Sequence, residues 1–330
     1  MYEYLQHMAE INSTNVQLAF IYEQIYRVDF GAVTGIKIAV VVLMTLFFVC
    51  INCIMLFALR SKTAFYETPR YILFAHMLLS DSILLLTTTA MYAMSLALVS
   101  IAKGICSLLV LISNCTFQNA PLTLAVMSLE RYVAICFPLR HSSIATQRNT
   151  GIALGVIWFF SSLNVMSDLL YELITDPNHL FKITFCTRQK LFVTKWQADK
   201  AQVFDVLYFV SVALIIIFTY IRIMITAMSV SSNKDSAKKA RRTVLLHLVQ
   251  LGLCLTSFLY GIIEKLLYLL TGSDGSLFIQ LRYLNFLIIL ILPRCLSPLI
   301  YGLRDEAVRP LFQYYFCYGA NKVKTAISVH

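Results

Sequence analysis

The fold class that this sequence predicts is an all-α membrane protein, a seven-transmembrane helix bundle followed by a short amphipathic C-terminal helix. Three observations carry that expectation. Of 330 residues, 59% are hydrophobic and only 13% charged, and the mean hydropathy of +0.74 lies outside the range of an ordinary soluble domain. Apolar segments long enough to cross a hydrocarbon core recur at 32–59, 71–99, 104–136, 151–174, 203–229, 243–270 and 280–303. The links between them are mostly short, with no repeat of fixed period and no low-complexity tract. Residues 32–303 therefore read as one membrane domain, between a tail at 1–31 and a closing segment at 304–330.

The tail carries Glu3, Glu10, Glu23, Arg27 and Asp29 and no apolar core of signal-peptide type, so the first helix is expected to insert as an uncleaved anchor. Loop charge sets its direction. Sixteen Lys and Arg fall on the side holding 60–70, 131–148, 222–242 and 304–324, against ten on the other. The positive-inside rule then puts the N-terminus outside and the C-terminus in the cytosol of a multi-pass plasma-membrane protein. On that topology Asn12-Ser13-Thr14 is an accessible glycosylation sequon, whereas Asn114-Cys115-Thr116 has the same pattern inside the third segment.

The third segment is uncharged from Gly104 to Leu129 and ends in Glu130-Arg131-Tyr132. From Cys106 to Arg131 a helix would rise about 37 Å, enough to span the core with some tilt. The seventh is the weakest, since its uncharged stretch from Tyr283 to Pro293 stops at Arg294. Hydropathy alone leaves a six-helix chain open; the resemblance of Ser297-Pro298-Leu299-Ile300-Tyr301 to the closing motif of a known family favours seven. Beyond it, Arg304 to Phe312 mixes charged and apolar residues with the acids first, as a helix lying on the inner-leaflet lipid would. A disordered basic tail is the plainer alternative.

Six of the nine cysteines, Cys50, Cys53, Cys115, Cys136, Cys254 and Cys295, fall within or at the ends of apolar segments, where a small buried hydrophobe is the default. Cys106 and Cys186 fall outside, in an oxidising compartment, and their pairing would close the long loop over the bundle. Cys317 is a candidate for palmitoylation, with a free thiol the alternative.

Catalysis is not expected. There is no His-Glu-x-x-His motif, no glycine-rich phosphate loop and no pair of broken helices in repeated halves. His76 and His247 lack a second ligand at metal spacing, so neither a metal nor another cofactor is expected, and no nucleic-acid partner is implied. Gln280 to Leu303 contains no lysine to hold a retinal Schiff base. Oligomeric state is left open by the residues.

Asn52, Leu79-Ser80-Asp81, Cys106, Glu130-Arg131-Tyr132, Trp158, Tyr220 and Pro298 with Tyr301 occur in an order that resembles the rhodopsin-like, class A, G-protein-coupled receptors. Within them, Met127 through Tyr132 to Cys136-Phe137-Pro138-Leu139-Arg140-His141 resembles the odorant-receptor signature. Lys239-Ala240 through Thr243 to His247-Leu248 and Pro298 through Gly302 to Asp305 are similar to the same family, in its fish-type form. The chain departs from it at Ser297, where Asn or Asp usually precedes the proline, and at Val212, where many members have proline. Its long loop also lacks the extra cysteines of mammalian odorant receptors. Phe258-Leu259-Tyr260-Gly261 stands five residues late relative to His247 for the family's aromatic-Tyr-Gly element.

The resemblance implies a receptor that binds a small odorant and activates a heterotrimeric G protein, of the stimulatory olfactory type that raises cAMP. The alternatives are a class A receptor for another small ligand and a non-signalling scaffold or channel subunit. Glu130, Arg131, Tyr132, Tyr220, Pro298 and Tyr301 would form the switch, Arg131 leaving Glu130 as the sixth helix moves outward. The residues alone also allow that pair merely to anchor the headgroup zone. A lone Asp81 at bilayer depth needs a partner. Many relatives place a sodium ion there, but Ala120 replaces the usual hydroxyl ligand, and Arg294 is expected to pair with Asp81 bidentately in its stead. Arg294 facing a water-filled cavity is the alternative. The family's ligand cavity would be lined by Ser113, Asn114, Phe117, Gln118, Phe204, Asp205, Tyr208, Tyr260, Glu264 and Tyr283. Ser113 stands where aminergic receptors carry aspartate, and Asp205, Glu264, Lys265 and Arg282 pull in opposite directions, so ligand charge stays open.

Overall fold

In the computed structural model, residues 32–97, 99–175, 178–186, 194–230, 249, 252–253, 255–271, 275–305 and 307–318 are described. The first five spans are Ala32–Arg60, Pro69–Leu96, Lys103–Cys136, Gln147–Thr175 and Lys195–Val230. The described part of the sixth ends in a 3-10 turn, Ser257–Leu259, and a helix, Tyr260–Thr271. The seventh runs through Gly275–Asn285, a π-helical stretch Phe286–Ile291 and Leu292–Arg304. Six helices among the described residues are long and apolar enough to cross a membrane, including Ser276–Ile300 of the seventh span.

Their faces are sorted for lipid. Leu43, Leu46, Phe47, Ile152 and Phe159 point outward, while Asn52, Asp81, Asn119, Thr123, Asn164 and Asp168 are buried between helices. A helix satisfies its own backbone in hydrocarbon, so the polar side chains are what must turn inward to find partners. Asn52 Nδ2 accordingly donates to Ser82 Oγ at 2.9 Å and Thr45 shares a 2.7 Å bond with Thr89. The third span lies at the centre, and an apolar core running from Ile51 and Met55 through Phe74, Met77 and Leu124 to Val308 and Phe312 packs around it.

The fifth span starts at Lys195 rather than 203. Its added turns are polar and are held by the fourth span: Lys200 Nζ meets Asp168 at 2.5 Å and Gln197 Nε2 donates to Glu172 at 3.3 Å. Hydropathy cannot register a helix extension built from paired charges.

Two three-residue strands, β1 (Ser100–Ala102) and β2 (Ile183–Phe185), pair antiparallel with Ile101 opposite Thr184. Just beyond them Cys106 and Cys186 form a disulfide with a Cα–Cα distance of 5.3 Å, which fixes the chain after β2 to the start of the third span. At the other end, short helices Thr63–Glu67 and Pro138–Ile144 fill the links after the first and third spans. The amphipathic helix begins at Arg309 and ends at Tyr318, later than the charged segment suggested. The seventh span continues to Arg304, and Asp305 turns the chain by accepting from the Ala307 and Val308 N–H groups at 3.0 and 3.3 Å.

Candidate functional site

A cavity of about 660 Å³ opens at the Cys106 end, between the second, third, fifth, sixth and seventh spans, with Cys186 in its wall. The third span presents Ser113, Asn114 and Phe117, which the helical repeat places on one face. Gln197, Ala201, Asp205 and Phe209 form the matching stripe on the fifth, and Ser257 through Ile262 with Glu264 line it from the sixth. Asn285 Nδ2 donates to the Tyr260 carbonyl at 3.2 Å, fixing the sixth span to the seventh beside the π-helical stretch. The wall is mostly apolar with a few polar groups, as small-ligand sites are.

Its charged side chains have partners on neighbouring spans. Arg282 Nε lies 2.8 Å from Glu264 Oε1, joining the seventh span to the sixth. Gln118 Nε2 donates to Asp205 Oδ1 at 2.9 Å, joining third to fifth. Asn114 is 8% exposed, and among the described residues its Nδ2 has no hydrogen-bond partner.

Beneath the cavity sits a wholly buried ion pair. Asp81 and Arg294 have fully buried side chains, and Nη1 donates to Oδ1 at 3.2 Å. Arg294 Nη2 reaches the Phe117 carbonyl at 3.2 Å and Ser257 Oγ at 3.5 Å, and the guanidinium carbon lies 5.4 Å from the Phe117 ring centroid. The contact with Asp81 is thus one-armed rather than bidentate, because the second arm is used by the third and sixth spans. Asp81 Oδ2 has no hydrogen-bond partner among the described residues. Ala120 is wholly buried and offers no oxygen from its side chain, so this centre, with a guanidinium already on the carboxylate, does not fit a sodium ion.

At the far end of the third span, Glu130 Oε1 takes a 3.0 Å contact from His141 Nε2 on the link helix, while Arg131 Nε stands 3.9 Å from Oε2. Tyr132 packs edge-on against Phe137 and Phe218 with centroids 5.6 Å away in each case. Cys136 Sγ lies 3.3 Å from Thr226 Oγ1 and so ties third span to fifth. Nearby Arg70 forms an ion pair with Asp305, whose other oxygen accepts from Tyr71 Oη at 3.3 Å.

A family model of the seven-transmembrane receptors of the rhodopsin family matches residues 51–301. Odorant receptor 131-2 of Danio rerio is 37% identical over 275 residues, covering 81% of this chain and 82% of the relative. The chain belongs to the odorant receptors of the rhodopsin family. More distant members include Olfactory receptor 2M5 of Homo sapiens, 24% identical over 78% of this chain and 82% of its own length. Olfactory receptor 1 of Rattus norvegicus is 27% identical over 59% of this chain and 61% of its own. Proteins of this family are receptors, not enzymes.

In this receptor Ser113, Asn114, Phe117, Asp205, Tyr260 and Glu264 share the cavity wall. Gln118 stands behind it holding Asp205, Tyr208 Oη donates to the Phe160 carbonyl at 2.5 Å, and Phe204 lies with its ring 6.1 Å from that of Tyr208. Tyr283 packs 6.4 Å from Tyr92 under Lys37. Tyr220 is half-buried on the fifth span, and Pro298 and Tyr301 fall in the last segment of the seventh. Cys317 falls in the closing helix; Asn12 and Lys234 to Arg242 lie outside the described residues.

The second span's share of the wall, Thr88, Met91, Tyr92 and Ser95, was not legible in the sequence, since their spacing is that of any packed helix face. Arg70 and Asp305 had a weak signal: an aspartate directly after a helix is a capping residue by type.

Proposed function

We propose that this receptor binds a small odorant in the cavity at its Cys106 end and, so occupied, activates a heterotrimeric G protein of the stimulatory olfactory type. The Cys106 end then faces outward and the Arg131 end the cytosol of a plasma-membrane receptor. The supporting observation is that one unbroken helix, Lys103–Cys136, carries the cavity wall at Ser113, Asn114 and Phe117 and, further along, Glu130, Arg131 and Tyr132. A shift of that helix is felt at both ends. The relative named as an odorant receptor, at 37% identity, supports the ligand class.

Arg131 would be held in the resting receptor by Glu130 and released when the sixth span moves outward, Tyr220 and Tyr301 offering polar contacts to the freed guanidinium. Pro298 would set the bend of the seventh span, and Asp81 with Arg294 would hold the bundle centre without an ion. Ser113, Asn114, Phe117, Asp205, Tyr260 and Glu264 are the proposed ligand contacts. Gln118, Phe204, Tyr208 and Tyr283 would support them from behind. Asn12 would carry the glycan and Cys317 a palmitoyl chain at the inner leaflet.

The test is the full chain in cells supplied with an olfactory-type stimulatory G protein, challenged separately with acidic, amine and neutral odorants. An active odorant should raise cAMP. Arg131→Ala should abolish that rise at unchanged surface labelling, and Phe117→Ala should shift the half-maximal concentration about tenfold. Odorant binding without GDP release from any heterotrimer would overturn the reading.

A further inference from the structure

We propose that Arg294 is a positioning residue that supplies the donor Pro121 cannot, and that it thereby ties the third span to the sixth and seventh directly under the cavity. Pro121 lies inside the third helix. A proline has no N–H, so the carbonyl four residues earlier loses its helical donor. That carbonyl belongs to Phe117, and it is the one Arg294 Nη2 reaches at 3.2 Å. In hydrocarbon a freed carbonyl must be satisfied by a neighbouring group, and a cation is the strongest donor available.

The same guanidinium makes further contacts. It donates to Asp81 on the second span at 3.2 Å, approaches Ser257 Oγ on the sixth at 3.5 Å, and lies under the Phe117 ring. The Phe117 ring in turn packs edge-on against Phe258, centroids 5.2 Å away, and Phe258 against Phe209 at 6.1 Å. Phe117, Ser257, Phe258 and Phe209 all line the cavity, whereas Arg294 does not. The floor of the cavity is therefore an aromatic layer resting on a buried cation.

Two departures from α-helix flank the point of contact: the 3-10 turn at Ser257–Leu259 and the π-helical stretch at Phe286–Ile291. A 3-10 stretch inside a helix often marks a hinge, and π-helical turns recur at functional sites. A ligand that displaces Phe258 or Phe117 acts on Arg294 at once, and the contacts to Phe117 and Ser257 are those that oppose separation of the sixth span from the third. Loosening them should release the sixth span without a ligand.

The experiment is a double-mutant cycle of Arg294→Lys and Pro121→Ala in the full receptor, read as agonist-free cAMP per surface-labelled molecule and as thermal melting of purified protein. Lysine keeps a cation beside Asp81 but lacks the fork that serves two partners. Pro121→Ala restores the backbone N–H to the Phe117 carbonyl and makes Arg294 redundant there. Each single variant should raise agonist-free cAMP about threefold or more, and the double variant no further than the larger single. Effects that multiply in cAMP and add in melting would overturn the tie, as would Arg294→Lys indistinguishable from the parent. The signalling readout rests on G-protein coupling. A chain silent in cAMP with every variant and odorant would sink that coupling, and melting alone would then decide the tie: non-additive shifts support it and additive ones reject it.

Discussion

Two of the receptor's arginine–carboxylate pairs place the same chemistry in opposite situations. Arg294 and Asp81 come from helices 213 residues apart, meet at 3.2 Å and are wholly buried. Glu130 and Arg131 are neighbours on one helix, separated by 3.9 Å, with side chains 11% and 29% exposed. Adjacent residues on a helix do not face each other, so the second pair cannot close tightly, and Glu130 finds its shorter contact in His141 at 3.0 Å. The contrast teaches where exchange is cheap. A charge fully removed from water is committed to its partner, whereas one at the end of a span can trade partners with a loop or with a docking protein.

The largest expected effect comes from breaking the buried pair. Asp81→Ala leaves a buried cation uncompensated and should cost about 3–5 kcal/mol, read as a collapse of melting temperature and of surface receptor. Glu130→Ala should cost less than about 1 kcal/mol and instead raise agonist-free cAMP. Equal losses of stability would erase the distinction between the two ends.

A third pair sharpens the comparison at intermediate size. Asp305 accepts from Arg70, from Tyr71 and from two backbone N–H groups, so it is both ion partner and cap. Asp305→Ala should loosen the closing helix by about 2 kcal/mol and Arg70→Ala by about half of that, because only the aspartate change also strips the cap. Amide hydrogen exchange across 309–318 is the measurement, and equal protection in the two variants would show that capping contributes nothing.

Long-range order was the legible part of this chain. The first span is bounded at 32–59 by its apolar residues and at Ala32–Arg60 by its hydrogen bonds, and the third ends at Cys136 in both. What sequence conceals is any element held by pairing rather than by apolarity. The start of the fifth span needs Asp168 and Glu172 of the fourth, and β1 and β2 are three residues each. Within the site, two arms of Arg294 on one carboxylate are the simplest expectation for a lone buried acid. The structure divides the arms because Pro121 leaves a carbonyl in need, a demand that only the fold brings within reach of the seventh span. Glu264 and Arg282 read as charges that cancel, and their 2.8 Å separation shows across which two helices.

The smallest expected effect concerns sodium. An ion bound beside the second-span carboxylate would make stability and affinity depend on sodium by mass action. Here the carboxylate oxygen Asp81 Oδ1 already accepts from Arg294 and the Ala120 side chain supplies no ligand, so an entering ion would have to displace a tethered guanidinium and strand it in hydrocarbon. Exchanging sodium for N-methylglucamine at constant ionic strength should leave melting temperature and agonist potency within about twofold of the parent values. In Arg294→Gln, where the tethered cation is gone, the same exchange should acquire a measurable effect. Sodium dependence in the parent receptor equal to that of the variant would mean that the guanidinium does not close the site, and that the buried pair is as exchangeable as the exposed one.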